Sequence, residues 1–221
     1  MKNKVLEINN ICKSYTKFKI FNLFNKDISK IDVLKNVSFD IYESEIVGIS
    51  GKNGSGKSTL LRVISGLENH EEGFINKEEN IKIRYISAND RSFFWRLNVT
   101  QNLELFNLYS SRSNLEVQER MLYYMEIFNL VNSKDTEFMK LSSGKKRKLI
   151  LIRALLSGAD ILLFDEVSEN LDESSKSIFL NEISRTRIDE GKTFIWVSHD
   201  LKELSKFCDR TLKISDLNDD I

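Results

Sequence analysis

The chain has 221 residues, 41% of them hydrophobic and 30% charged, enough for one large domain or two small ones with a core of their own. Its 33 basic residues balance 33 acidic ones, which argues against nucleic-acid binding through a broad basic face. No apolar run approaches bilayer length, the start Met1-Lys2-Asn3-Lys4 shows no signal peptide, and Cys12 and Cys208 lack metal-ligand spacing and read as buried free thiols of a reducing compartment.

In chain order, Val5 to Ile8 reads as a short strand, and Ser14-Tyr15 closes that opening segment. Thr16 to Asp32 carries Phe18, Phe21, Phe24 and Ile28 at helical spacing. The spacing predicts a short amphipathic helix packed on its own domain, with a membrane surface or a partner as the alternative. Val37 to Ile41 alternates apolar and polar residues, the pattern of a half-buried strand. Ile46-Val47-Gly48-Ile49-Ser50 is apolar throughout and reads as a buried strand, and Thr59 to Ile64 has helical spacing without a breaker.

Between that strand and that helix lies Gly51-Lys52-Asn53-Gly54-Ser55-Gly56-Lys57-Ser58-Thr59. In this context the G-x-x-x-x-G-K-[ST] pattern means a phosphate-binding loop. Glycines let the backbone turn its N–H groups toward phosphate oxygens at close range. The start of the helix adds unsatisfied N–H groups and the positive end of its dipole. Lys57 is the point charge for the β- and γ-phosphates, and the Ser58 hydroxyl is a Mg²⁺ ligand.

Downstream, Gly66 and the acidic run Glu68 to Glu72 make a turn, and Phe74-Ile75 and Ile81 to Ile86 read as strands. Val99 to Tyr109 and Leu115 to Val131 are the strongest amphipathic patterns; Met121, Leu122, Met125, Phe128 and Val131 of the second are assigned to the core. The consecutive aromatics Phe93, Phe94 and Trp95 cannot all face one core, so at least one is expected at the surface. The middle of the chain is thus helical and its flanks are mixed. Residues 1–88 and 157–221 are expected to form an α/β core with an N-terminal β part, and residues 89–156 a helical insertion. No internal repeat or linker is visible.

Ile161 to Phe164 and Phe194 to Val197 are continuous apolar runs, typical of strands covered on both faces of a parallel sheet. The first ends in Asp165-Glu166, at the strand end where open α/β sheets bind ligands. Asp165 suits a Mg²⁺ ligand and Glu166 a base for the attacking water. The second ends in Ser198-His199-Asp200, which places His199 to contact a γ-phosphate. Arg210 to Ile214 suggests an edge strand, and Asp216 to Ile221 a frayed tail. Leu141-Ser142-Ser143-Gly144-Lys145 precedes a basic helix, Lys146 to Leu156; on its residues alone it is an ordinary N-cap or a second anion-binding helix start.

In this order and spacing the motifs resemble the nucleotide-binding subunit of ABC transporters over essentially the whole chain. Leu141 to Lys145 is similar to the family's L-S-G-G-Q signature, with Ser143 and Lys145 as departures. Ser168-Glu169-Asn170-Leu171-Asp172 resembles its D-loop, His199 its switch histidine and Tyr15 the aromatic that stacks on adenine. Asn89 falls where the family has a Mg²⁺-contacting glutamine that relays to the membrane subunit. The resemblance implies a P-loop NTPase fold: a mainly parallel sheet flanked by helices, a small antiparallel β part and the helical insertion. It further implies ATP and Mg²⁺ as ligands and a head-to-tail dimer of two copies. Each ATP would lie between Gly51 to Thr59 of one copy and Ser142, Ser143 and Gly144 of the other. Separate transmembrane permease subunits, a peripheral place on the cytoplasmic face of the inner membrane, and no nucleic-acid partner are also implied. The segment after Tyr15 and the aromatics at 93–95 resemble exporters of polysaccharide, lipid-linked glycan or drugs, with glycan export preferred. The rival readings are a soluble or regulatory ATPase of the same family, acting on ribosomes, on DNA or in signalling.

Overall fold

The computed structural model describes residues 3–22, 25–88, 92–107, 113–169 and 171–217. They group into two compact units, one of residues 1–81 with 195–221 and one of residues 82–194.

The first unit opens with two long antiparallel strands, β1 (Lys4–Asn22) and β2 (Asn25–Tyr42). A shorter strand, β4 (Glu72–Lys77), pairs with the other edge of β1, so the order is β2-β1-β4. Residues 16–22 and 25–32 are therefore a strand pair and not a helix, with Phe24 outside the described residues: Thr16 faces Lys30, Lys17 faces Ser29 and Phe18 faces Ile28. Lys17-Phe18-Lys19-Ile20 and Ser29-Lys30-Ile31-Asp32 also alternate with a period of two. Each strand offers the other a complete backbone ladder, which a local helical period does not outweigh. Nor does the opening strand end at Tyr15. The register shifts between Ile8 and Ile11, beside Asn10 in the left-handed region at φ 51°, a conformation asparagine tolerates better than most residues. Val5, Leu6, Ile8, Ile11, Leu34, Val37 and Ile41 are buried along these strands.

The same unit contains β3 (Ile46–Ser50), buried at every residue, α1 (Lys57–Ile64), α6 (Leu201–Phe207), β8 (Arg210–Lys213) and α7 (Ile214–Leu217). β3 and β8 run parallel, with Val47 opposite Arg210 and Ser50 opposite Lys213. A side chain at Gly48 would lie 3.1 Å from the sulfur of Cys208 and 3.2 Å from Leu204, so a glycine lets α6 pack closely on β3. Both cysteines are half-buried, not buried. Burial, then the neighbouring charges of Asp209 and Glu203, push the Cys208 thiol up to about 12, which leaves it unreactive at neutral pH.

In the second unit β5 (Ile83–Ser87) and β6 (Ile161–Asp165) run parallel from Ile83 opposite Ile161 to Ser87 opposite Asp165. The helices are α2 (Val99–Asn107), α3 (Asn114–Ile127), α4 (Ser143–Leu156) and α5 (Glu173–Glu190), with α4 packed against the other three. Tyr109, assigned to the first of these helices, lies outside the described residues. Met121, Met125 and Phe128 are buried as expected, but Leu122 is exposed and Tyr124 takes the inward place. The chain leaves α3 at Asn129, in the left-handed region at φ 55°. The strand order of the larger sheet is β5-β6-β7-β3-β8, where β7 is Thr193–Val197. A parallel sheet flanked by helices, with a small antiparallel sheet, is the expected fold class. No helix among the described residues is long and apolar enough to cross a membrane.

Candidate functional site

β3 delivers the chain into the glycine loop, and α1 takes it out. Gly56 is the N-cap of α1 at φ 97°, and no side chain caps that helix start. A Cβ at Gly56 would stand 2.9 Å from a Val33 methyl and 3.0 Å from the Val33 carbonyl. A Cβ at Gly51 would stand 2.6 Å from Ile214. These contacts, and the left-handed backbone at Gly56, exclude side chains there. Lys57 is only 5% exposed. Its ammonium folds back over the loop and donates to the carbonyls of Gly51 at 2.8 Å and Lys52 at 3.0 Å. The Ser55 hydroxyl is buried with no hydrogen-bond partner among the described residues. Ser58 is half-buried, Thr59 buried, and Asn53 and Gly54 are exposed. An uncapped helix start, a buried ammonium and an unsatisfied buried hydroxyl within one loop fit a phosphate group, which would satisfy all three.

Tyr15 lies against this loop. Its hydroxyl donates to Glu68 and lies 3.4 Å from the Thr59 hydroxyl, and its ring is 37% exposed with Lys13 over it at 5.4 Å. Glu68 also accepts from Nε of Arg62 at 2.6 Å. Burial acts to raise the Glu68 carboxyl, but the hydrogen bonds from Tyr15 and Arg62 outweigh it and hold the group below its ordinary value. Next to it, Ser14 donates its hydroxyl to both oxygens of Glu71, at 2.9 and 2.7 Å. The acidic run read as a plain turn is thus a clamp on Ser14 and Tyr15. The sequence signal was the run itself, but its target lies over fifty positions upstream.

His199 is exposed, in a turn held on both sides. Ser198 donates to Glu203 at 3.0 Å, and Asp200 caps α6 by accepting from the backbone of Lys202 and Glu203 at 3.0 and 3.2 Å.

Asp165, Glu166 and the 141–145 segment belong to the second unit. Asp165 is buried, and the Tyr85 hydroxyl donates to its carboxylate at 2.6 Å across the β5–β6 pair. Nothing in the sequence marked Tyr85. Glu166 is half-buried and sits in the left-handed region at φ 55°. For a residue with a long side chain this costs about 1–2 kcal/mol, and such strain is concentrated at functional sites. Asn89 and Asn170 lie outside the described residues.

Ser142 is the N-cap of α4, its hydroxyl accepting from the Lys145 N–H at 3.4 Å. Ser142, Ser143, Gly144 and Lys145 are all exposed. The Lys145 ammonium donates to Ser133 at 2.8 Å. A Cβ at Gly144 would meet nothing within 4 Å. Further along α4, Arg147 donates to the Glu169 carbonyl and Lys148 lies 3.6 Å from Asp172, so the helix holds the segment after β6. Phe93 is buried and stacked on Phe138 at 4.7 Å, while Phe94 is 54% and Trp95 66% exposed.

The family model described as ABC transporter matches residues 34–169. An uncharacterised ABC transporter ATP-binding protein of Methanocaldococcus jannaschii is 31% identical over 196 residues, covering 89% of this chain and 73% of that protein. A methionine import ATP-binding protein of Clostridioides difficile is 32% identical over 204 residues; the match covers 84% of this chain but only 62% of that protein. Among solved structures, an ATP-binding subunit of an ABC transporter superposes with a TM-score of 0.80 at 21% identity, covering 95% of this chain and 85% of that one. A dimeric ATP-binding cassette in a post-hydrolysis state, bound to ADP and Pi, superposes with a TM-score of 0.76 at 25% identity, covering 94% and 93%.

Proposed function

The chain belongs to the ABC transporter family as an ATP-binding domain, and we propose that it hydrolyses ATP in a head-to-tail dimer that drives a separate membrane-embedded permease. The observation that carries this reading is the glycine loop, where Lys57, the Ser55 hydroxyl and the uncapped start of α1 fit phosphate.

The loop from Gly51 to Thr59 holds the triphosphate, and Tyr15, pinned through its hydroxyl, offers its exposed ring to the adenine. Ser58 and Asp165 would hold Mg²⁺, with Asn89 at the place of a further ligand. When bound, the ion neutralises phosphate charge. The Tyr85 hydroxyl orients Asp165 for this role. Glu166 accepts a proton from water as the water oxygen bonds to the γ-phosphorus; the bond to the β,γ-bridging oxygen breaks and ADP leaves. His199 contacts the γ-phosphate. Ser142, Ser143 and Gly144 complete the site of the second copy. Their exposure, and the open space at Gly144, give them no packing role in their own chain.

The place of action is the cytoplasmic face of the membrane, reached by binding the permease. Phe94 and Trp95 are exposed aromatics of the kind that anchor an interface, each worth about 2 kcal/mol or more. Trp95→Ala is expected to leave nucleotide binding intact and to reduce co-purification with the permease; undiminished co-purification would move the docking surface elsewhere. Export of a glycan rests only on the resemblance of residues 16–32 and 93–95. The methionine import protein among the relatives acts in the other direction.

Glu166→Gln tests the chemistry. ATP should still bind, turnover should fall about 10²–10⁴-fold, and an ATP-stabilised dimer should accumulate in light scattering. Near-normal hydrolysis would assign the base to another residue.

A further inference from the structure

A cleft of about 110 Å³ opens at the N-terminal end of the β5–β6 pair, the end opposite Ser87 and Asp165. Lys82, Arg84, Phe106 and the loop Ser157-Gly158-Ala159 line it. Arg84 is half-buried, and burial pushes its guanidinium below its ordinary value. Behind it lies Arg153, which is buried; burial, then the charge of Arg84, bring its guanidinium down to about 10. Arg153 is accommodated within the fold. It sits between the rings of Phe93 and Phe106, at 4.7 and 4.4 Å, and donates to Ser92. Arg84 instead lines the cleft. The neighbouring carboxylate, Asp160, accepts from the Lys82 backbone N–H at 2.9 Å and lies 3.8 Å from the Lys192 ammonium.

Two adjacent like charges, both withdrawn from water, are an unfavourable arrangement for the fold alone. The arrangement becomes favourable once an anion enters. A guanidinium presents a planar fork of donors that matches phosphate oxygens, and Lys82 adds a second cation at the rim. The Ser157 hydroxyl is committed to the Ala154 carbonyl at 2.7 Å, so the cations are the recognising groups. The volume suits a phosphate and is too small for a nucleotide, whose pockets run to about 300 Å³ or more.

We propose that this cleft binds a phosphate-class dianion, free or as the end of a small phosphomonoester, held by Arg84 with Lys82 at the rim and Phe106 as an apolar wall. The site is separate from the glycine loop and does not depend on the function assigned to it.

The test is the thermal midpoint of the full chain, with the glycine loop saturated by a non-hydrolysable ATP analogue. Orthophosphate and glycerol 3-phosphate are titrated against sodium chloride at matched ionic strength. The midpoint should rise and saturate with orthophosphate beyond the chloride control, and Arg84→Met should abolish the rise while leaving affinity for the analogue unchanged. A matching rise with glycerol 3-phosphate identifies an ester end; a rise with orthophosphate alone identifies the free ion. Should Arg84→Met not fold, Lys82→Ala, at an exposed position, takes its place and should weaken the response several-fold. No rise above chloride, or an equal rise in the wild type and the variants, overturns the proposal.

Discussion

Two helix starts in this chain are built from the same residue types and differ in every physical respect. α1 begins at Gly56, whose left-handed backbone and 2.9 Å approach to Val33 make a glycine obligatory. Its lysine is buried and turned onto its own loop, and the Ser55 hydroxyl is buried without a partner among the described residues. α4 begins at Ser142, which caps its own helix in the ordinary way. The three residues that follow are exposed, and Gly144 has open space where a side chain would go. The first start is enclosed within its own chain and fits a phosphate group. In the second, Ser142 and Lys145 have partners in their own chain, and nothing in the packing around Gly144 calls for a glycine. Chemically alike segments thus separate into an enclosed start and an exposed one once burial and backbone conformation are known.

Lys57→Ala should break the first of these most severely. A charge-assisted hydrogen bond is worth about 1.5–3 kcal/mol, so the dissociation constant for MgATP should rise about 10–100-fold or more by calorimetry. An unchanged constant would remove the glycine loop from the binding site. The two glycines sharpen the contrast at smaller amplitude. Gly56→Ala should lower stability by about 1–3 kcal/mol, because alanine must adopt the left-handed backbone against Val33. Gly144→Ala should instead stabilise the monomer by about 0.5–1 kcal/mol, as alanine does in a helix, and yet reduce ATP-driven dimerisation. Denaturant unfolding in parallel with light scattering reads both quantities. If both variants are destabilised alike, Gly144 serves the fold of its own chain and the contrast fails.

The parts legible in the sequence were those written locally. Ile46 to Ser50, the glycine loop and α1 are contiguous, and each residue's role follows from its neighbours. Ile161 to Asp165 was equally clear, because a strand covered on both faces needs an unbroken apolar run. The strand pairing of residues 16–22 with 25–32 is not legible locally, because its deciding partner is another strand and local spacing supports two periods at once. α5 went unforeseen although Asp172 accepts from the Ser175 N–H at 2.8 Å and Gly191 ends the helix at φ 65°. Those were readable caps that lacked a strong apolar stripe between them. The clamp of Glu68 on Tyr15, the Tyr85 contact to Asp165 and the left-handed Glu166 are long-range or conformational facts. No pattern of residue types announces them.

The central claim is that the start of α4 completes the site of a second copy. Mixing Lys57→Ala with Ser142→Arg chains tests it most directly. Each variant alone should be nearly inactive, the first for want of the phosphate lysine and the second because a bulky charge occupies the contact. A mixed dimer carries one site with an intact glycine loop from one chain and an intact 142–144 segment from the other, so ATP turnover should reappear well above the sum of the two variants. Turnover by Ser142→Arg alone at the wild-type rate would contradict the account. So would a mixture that forms dimers but stays no more active than its parts.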